Sequence, residues 1–236
     1  MNKLTKTDLQ LCVSRIPKDI QSIMKEHGLY LGGGFIRSTI AHEKVNDIDL
    51  FGSSKEALNL AALSLSVQRS GRLHKTDNAI TVLSKVRTPA QLITRWMYDD
   101  PEKLCNDFDF TVCQAVVWFD CTNKIWRSCA SDGFYQDLAA HRLVYTFPKR
   151  EEAAGGSILR VRKFLQRGYN IQAWSLAGVI SRLLIAVEKD SILAKNGEQG
   201  LTKVITGLLR EVDPLVVIDG VEAVDEHEIR ELEEEK

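Results

Sequence analysis

The sequence predicts an α+β protein in which a strand-rich head is followed by a helical neck, and three observations lead there. Short apolar, strand-like runs concentrate before about residue 147. From Glu151 onward, apolar residues recur three and four apart, the period of packed helices. A chain of 236 residues that is 44% hydrophobic buries a core without disulfide or metal staples. The expected division is a head over residues 1–147 and a neck over 148–236 that ends in an acidic tail.

In the head, Leu9, Val13, Ile16, Ile20, Ile23 and Met24 fall mostly at helical spacing. Pro17 interrupts them, because proline suits the first turn of a helix but not its interior. Two short helices are therefore expected, the second stopped by Gly28. Leu29-Tyr30-Leu31 reads as a strand entering Gly32-Gly33-Gly34, residues 35–41 as a short helix, and residues 47–51 as a second strand. Ser53 or Ser54 caps the next helix, with Gly71 at its exit. Residues 79–83 and 90–97 read as strands, with Pro89 in the turn between them. Pro101 opens a helix over residues 100–106. Residues 110–119 form an apolar strand that pairs with residues 124–128.

The neck contributes helices at residues 157–167, 173–189 and 201–211. The acidic end, residues 225–235, reads as a solvated terminus.

Charge and cysteine content narrow the function classes. A net charge of −1 excludes a globally basic nucleic-acid binder, so any such surface must be a local patch. MNKLTKTDLQ has no apolar run after its lysines, and no later stretch approaches bilayer length. The expectation is a cytoplasmic protein without membrane partners. Five cysteines without a CxxC pair or a histidine at ligand spacing read as buried thiols.

The chemistry resides in one ordered segment. Asp47 and Asp49 flank Ile48 on a predicted strand, so both carboxylates leave the same face. Such a pair repels unless a divalent cation lies between them, and hard oxygen ligands suit Mg²⁺. A D-x-D alone also occurs on ordinary exposed strands. A glycine run alone is usually a tight turn. Here the glycines precede a short helix, where bare backbone approaches a phosphate, and Arg37 offers it a charged donor. Strand, glycines, arginine and D-x-D in this order are far more specific than any one of them.

These residues resemble the head of the tRNA CCA-adding enzyme and bacterial poly(A) polymerase family, within the polymerase β superfamily. Gly33-Gly34-Phe35-Ile36-Arg37 matches its G-G-x-x-R motif and Asp47-Ile48-Asp49 its D-x-D. Asp109-Phe110-Thr111-Val112-Cys113-Gln114-Ala115 is similar to the R-R-D-F-T-x-N-A segment that contacts the ribose, and Leu159 to Phe164 is similar to L-R-x-x-R-F. The resemblance implies a polymerase β-like nucleotidyltransferase head with a mixed sheet.

It departs at several points. Ser38 replaces an acid, Asp107 and Phe108 replace the arginine pair, Gln114 replaces an asparagine, and the base-selecting E-D-x-x-R has no better counterpart than Glu188-Lys189-Asp190.

The resemblance implies two-metal transfer of a nucleoside monophosphate from an NTP, ATP or CTP, to an acceptor hydroxyl, an RNA 3′ end being favoured. Asp47 and Asp49 are the expected catalytic, metal-holding acids, with Mg²⁺ or Mn²⁺ as cofactor. Asp109, and second to it Asp107, is assigned as the third carboxylate, on the reasoning that strand alternation puts both on one face. Gly33, Gly34 and Arg37 bind triphosphate. On the neck helix Arg160, Lys163 and Arg167 form a basic stripe, the first two assigned to nucleotide and Arg167 to RNA, although the same spacing also describes an ordinary solvated face. Trp96, Trp118, Trp126 and Trp174 read as core residues, with Trp96 beside Arg95 the one stacking candidate. His42, His74 and His141 read as structural. Two other functions fit: synthesis of a nucleotide signal or nucleotidylation of a protein, and nucleotide or RNA binding without turnover.

Overall fold

The computed structural model describes residues 1–149 and 156–188, together with 197, 199–202 and 205. Two compact units make up the chain, Met1–Ala140 and His141–Lys236.

In the first unit, local signals place the early elements. Helix α1 (Lys6–Arg15) begins where Thr5 Oγ1 accepts the Asp8 N–H, and α2 (Lys18–His27) begins after Pro17. Gly28, at φ 63°, ends α2 in the left-handed conformation that glycine adopts without steric cost. Ile20, Ile23 and Met24 are fully buried on the inner face of α2. Strand β1 (Tyr30–Gly32), helix α3 (Gly34–Ile40) and strand β2 (Ile48–Phe51) follow. Helix α4 (Lys55–Arg69) is capped by Ser54, whose Oγ accepts the Ala57 N–H. It ends at Ser70 in the left-handed region, and Gly71 comes next. A β-carbon on Gly71 would lie 2.5 Å from the Leu83 carbonyl oxygen, so close backbone approach requires glycine there.

Strands β3 (Arg72–Lys75), β4 (Ala79–Ser84) and β5 (Arg87–Ile93) form a meander. After α5 (Pro101–Asn106) come a 3-10 turn (Thr111–Cys113), the hairpin β6 (Ala115–Asp120) and β7 (Ile125–Ala130), and α6 (Phe134–Ala139). The seven strands make one mixed sheet in the order β3-β4-β5-β2-β1-β6-β7, in which only the β2–β5 pairing is parallel. Alternation along β2 buries Ile48 and Leu50 on one face and turns Asp49 and Phe51 to the other. Phe51 packs there edge-on against Tyr98 and Phe108.

Several expectations require correction. Pro89 lies inside β5 rather than in a turn. It is tolerated because the β4–β5 register shifts between Val82 and Ser84, and pairing with β2 begins only at Ala90. The segment from Phe110 to Cys113 is not strand but enters the 3-10 turn. Strand β3 and helix α6 were not foreseen, since neither carries a marked apolar period.

In the second unit, β8 (Arg142–Leu143) pairs in parallel with β9 (Asn170–Ile171), and helices α7 (Gly156–Gln166) and α8 (Ala173–Glu188) pack together. Tyr145 donates its N–H to Ser175 Oγ, and Arg182 donates to the Tyr145 hydroxyl and the Pro148 carbonyl. The predicted helix at 201–211 falls mostly, and the acidic segment 225–235 wholly, outside the described residues. Among the described residues no helix is long and apolar enough to cross a membrane.

The tryptophans do not form the core. Trp174 is 78% exposed, and Trp96, Trp118 and Trp126 are half-buried. Their amphipathic rings serve the surface instead: Lys25 lies over Phe119 and Trp126, and Arg95 over Trp96. Four of the five cysteines are buried and Cys121 is exposed.

Candidate active site

The glycine turn is built where β1 ends. Gly32 pairs with Asp49 across the antiparallel β1–β2 ladder, and Gly33 follows at φ 71° and ψ −132°, a region essentially restricted to glycine. Phe108 lies against this turn. A β-carbon on Gly32 would stand 2.8 Å from Phe108 Cζ, and one on Gly33 would stand 3.4 Å from Phe108 Cε1 and 3.7 Å from Asp49 Oδ2. The missing side chain at Gly33 therefore leaves room beside the Asp49 carboxylate.

Asp49 is half-buried on β2, and Asp47 is half-buried in the segment just before that strand. On its other side Asp49 pairs with Gln91 of β5. In-register residues on neighbouring strands project from the same face, so Gly32, Asp49 and Gln91 form one row across three strands. Thr81 of β4 and His74 of β3 continue the row.

Arg37 is only 4% exposed. Its guanidinium lies beside Gly34, where a β-carbon would come within 3.6 Å of Nη2. It donates to Ser38 Oγ at 3.1 Å and to Cys113 Sγ at 3.7 Å, and Nε is 3.5 Å from Glu43 Oε2. This set ties α3 to the 3-10 turn beneath the glycines.

Asp107 and Asp109 are not on a strand, because the chain leaves α5 at Asn106 and bends before the 3-10 turn, so the alternation argument does not apply to them. Asp107 accepts a hydrogen bond from the Tyr98 hydroxyl at 3.1 Å, and Asp109 is 1% exposed. Among the described residues no three His, Cys, Asp or Glu side chains gather closely enough to hold a metal ion.

Arg160, Lys163 and Arg167 belong to the second unit. Arg160 is half-buried on α7, Lys163 is exposed one turn later, and Arg167 is exposed just beyond the helix end.

Three contributors carried no functional signal in the sequence. Phe108, noted only as a departure from an arginine pair, closes the floor of the glycine turn. Gln114, noted as a departure from asparagine, donates its side-chain amide to the Asn106 and Phe108 carbonyls and so holds the bend that presents Phe108. Gln91 had no local signal, since its importance lies in the register of β5 with β2.

Comparison with known proteins places these features. The family described as Gabija anti-defense 2 family protein matches residues 3–141. A protein named Gabija anti-defense 2, from Bacillus phage SPbetaL7, is 25% identical over 159 residues, which is 65% of this chain and 37% of that protein. The chain thus spans little more than a third of that relative's length.

Among solved structures, a Thermotoga maritima CCA-adding enzyme complexed with tRNA is similar at 18% identity and a TM-score of 0.53, over 86% of this chain and 53% of that one. A CCA-adding enzyme with ATP gives 19% identity and a TM-score of 0.52, over 86% and 55%. The one with CTP gives 19% and 0.53, over 84% and 54%. The chain has the polymerase β-like nucleotidyltransferase fold.

Proposed function

This chain belongs to the Gabija anti-defense 2 family, and from that premise we propose that it is an NTP-dependent nucleotidyltransferase whose reaction counters a Gabija defence. The observation that carries this reading is the approach of Gly33 to Asp49, with 3.7 Å between a β-carbon at the glycine and the carboxylate. A bare backbone beside a half-buried acid pair suits a triphosphate entering over the turn together with a divalent cation.

The donor set fits such a cation. Mg²⁺ is commonly held by one or two carboxylates plus substrate phosphates and retained waters, and Asp47 and Asp49 supply the carboxylates. Mn²⁺ has the same preference for hard oxygen. When bound, the cation supplies charge neutralisation for the acceptor oxygen and the departing pyrophosphate. The protein's part is positional. Gly33 and Gly34 admit the phosphates, Phe108 supports the turn, and Arg37 lends its positive charge from beneath Gly34.

For the acceptor, an RNA 3′ end is the first reading. Its support is the fold shared with a CCA-adding enzyme complexed with tRNA, together with the Arg160, Lys163 and Arg167 stripe. The family's anti-defence description favours a second reading, in which the acceptor is a protein of the Gabija system or a nucleotide signal is made.

One experiment separates them. The protein is incubated with each labelled NTP and Mg²⁺, and with RNA, purified Gabija proteins or no acceptor. Extended RNA supports the first reading, and labelled protein or free oligonucleotides support the second. Absence of pyrophosphate release in every arm overturns the enzymatic proposal and leaves a binding protein.

A further inference from the structure

Arg37 holds a fixed orientation beneath the glycine turn, and two sides set it. Its outer nitrogens Nη2 and Nη1 lie 3.6 and 4.0 Å from the position of a β-carbon on Gly34, and they donate to Ser38 and Cys113 respectively. The inner nitrogen Nε lies 3.5 Å from Glu43 Oε2. The guanidinium is planar and rigid, so a charge that holds the Nε edge also fixes where the Nη edge points. Glu43 reaches this place through the way α3 ends. Its N–H donates to the Ser38 carbonyl at 2.8 Å, and the His42 N–H donates to the Thr39 carbonyl at 3.4 Å, the two bonds of a Schellman turn. Such a turn requires one left-handed residue, and His42 supplies it at φ 56°. Glycine takes that conformation without steric cost, whereas histidine does not. The reversal brings Glu43 back against Arg37, and the chain then runs on to Asp47.

Resting on the nucleotidyltransferase reading, we infer that Glu43 is a positioning residue, which through Arg37 keeps a positive charge fixed under Gly34 for the transferring triphosphate. A charge already in place costs no reorganisation during the reaction. It counts for more in the transition state, where the departing pyrophosphate gains charge, than in the bound NTP. Loss of position should therefore appear in kcat more than in KM. A counter-charge that serves the fold alone behaves differently. A buried arginine is costly unless it is paired, and an acid with only that role acts on stability and not on turnover. Glu43→Asp separates the two roles, because it keeps the charge and withdraws the carboxylate by one methylene.

The test follows the Arg37 Nε–H resonance by nuclear magnetic resonance, which requires no turnover. Beside it are measured kcat and KM for pyrophosphate release and the binding of a non-hydrolysable α,β-methylene NTP. The full chain is compared with Glu43→Asp, His42→Val and His42→Gly. In unmodified protein the Nε–H, on a side chain 5% exposed, should exchange slowly with water. Glu43→Asp should speed that exchange and lower kcat by about 10²-fold, the scale of a displacement of about 1 Å in an active site, with a smaller change in KM. His42→Val, whose branched side chain disfavours the left-handed turn, should do the same. His42→Gly, which takes the turn without strain, should keep both exchange and turnover. If Glu43→Asp leaves kcat unchanged, the pair serves the fold alone and the inference is overturned. A fall in kcat with unchanged exchange overturns it too, since Glu43 then acts other than through Arg37. If unmodified protein neither binds the analogue nor releases pyrophosphate, the nucleotidyltransferase reading itself fails and takes this role with it. Exchange that still responds to Glu43→Asp in that case marks the pair as structural.

Discussion

Gly33, the residue after the Gly32–Asp49 pair that ends the β1–β2 ladder, stands beside the Asp49 carboxylate: the glycine holds φ 71°, and a β-carbon on it would lie 3.7 Å from Asp49 Oδ2. The conformation and the space are separable, and both bear on the proposed site. Gly33→Ala is expected to lose about 1–3 kcal/mol of stability from its backbone conformation, and to weaken nucleotide binding by displacing phosphates from Asp49. Thermal unfolding and equilibrium binding of an NTP analogue measure the two effects. An alanine variant with unchanged melting temperature and affinity would remove the turn from the site.

Asp47→Asn and Asp49→Asn should each reduce nucleotidyl transfer by at least about 10²–10³-fold, in line with the loss of a major electrostatic group from an active site. Asparagine keeps the size of each side chain and one accepting oxygen, so melting temperatures should change far less than turnover. Pyrophosphate release and thermal denaturation check the prediction together, and persistent turnover in both variants counts against the assignment.

Gly32 and Phe108 form a steric pair, with 2.8 Å between a β-carbon at Gly32 and Phe108 Cζ. Gly32→Ala is expected to destabilise by about 1–3 kcal/mol through overpacking. Phe108→Leu should cost stability by itself, yet recover part of the loss when combined with Gly32→Ala, because the shorter side chain vacates the clash. Denaturant unfolding of the two single variants and the double variant gives the coupling. Strict additivity would contradict the contact.

Away from the site, Asp19 holds the α2–α4–β5 junction. Burial disfavours its charge, but Arg69 at 2.8 Å, the Ile20 N–H and Arg87 at 2.7 Å outweigh that and hold its carboxyl below the usual range. A carboxyl depressed in the folded state contributes stability that is fully present above its unfolded pKa. That contribution is lost as pH falls through the folded value. Stability should therefore decline below about pH 4, less steeply in Asp19→Asn. Arg69, whose side chain is wholly buried, should cost about 3–5 kcal/mol when replaced by alanine, since the remaining carboxylate is left partly uncompensated. Urea unfolding at pH 7 and between pH 3 and 5 measures both.

The RNA reading predicts a salt signature. Replacing Arg160, Lys163 and Arg167 by alanine should flatten the slope of log affinity against log salt for single-stranded RNA by about 2, at about 0.7 for each lost phosphate contact. Affinities titrated between 50 and 200 mM salt, concentrations chosen from the range in which such contacts are resolved, test this. An unchanged slope assigns the stripe to an ordinary solvated surface.

Local chemistry was legible from the residues alone wherever its partners lie within a turn of chain. Pro17 breaks the first helical stretch, Gly28 ends α2 and Ser54 caps α4, because each acts on backbone groups a few residues away. The order of Gly33, Gly34, Arg37, Asp47 and Asp49 likewise indicated the nucleotidyltransferase fold, since the motif is contiguous. Where pairing is between distant segments, the reading weakened. Pro89 looked like a turn residue because nothing beside it reveals that β2 first pairs with β5 at Ala90. Asp109 looked like a strand acid because Phe110 and the apolar residues after it hide a 3-10 turn.

By itself, then, the sequence determined an α+β head, the start and stop of its early helices, and the chemical types at the proposed site. Tertiary structure alone decided which residues stand beside Asp49. It put Gln91 on one side and a bare Gly32 floored by Phe108 on the other, and it placed Asp107 and Asp109 in the bend between α5 and the 3-10 turn and not on a strand. The reason is physical. Helix caps and turns are set by groups bonded a few residues apart, whereas the neighbours of a strand residue are chosen by hydrogen-bond register between segments distant in the chain, which no local pattern encodes.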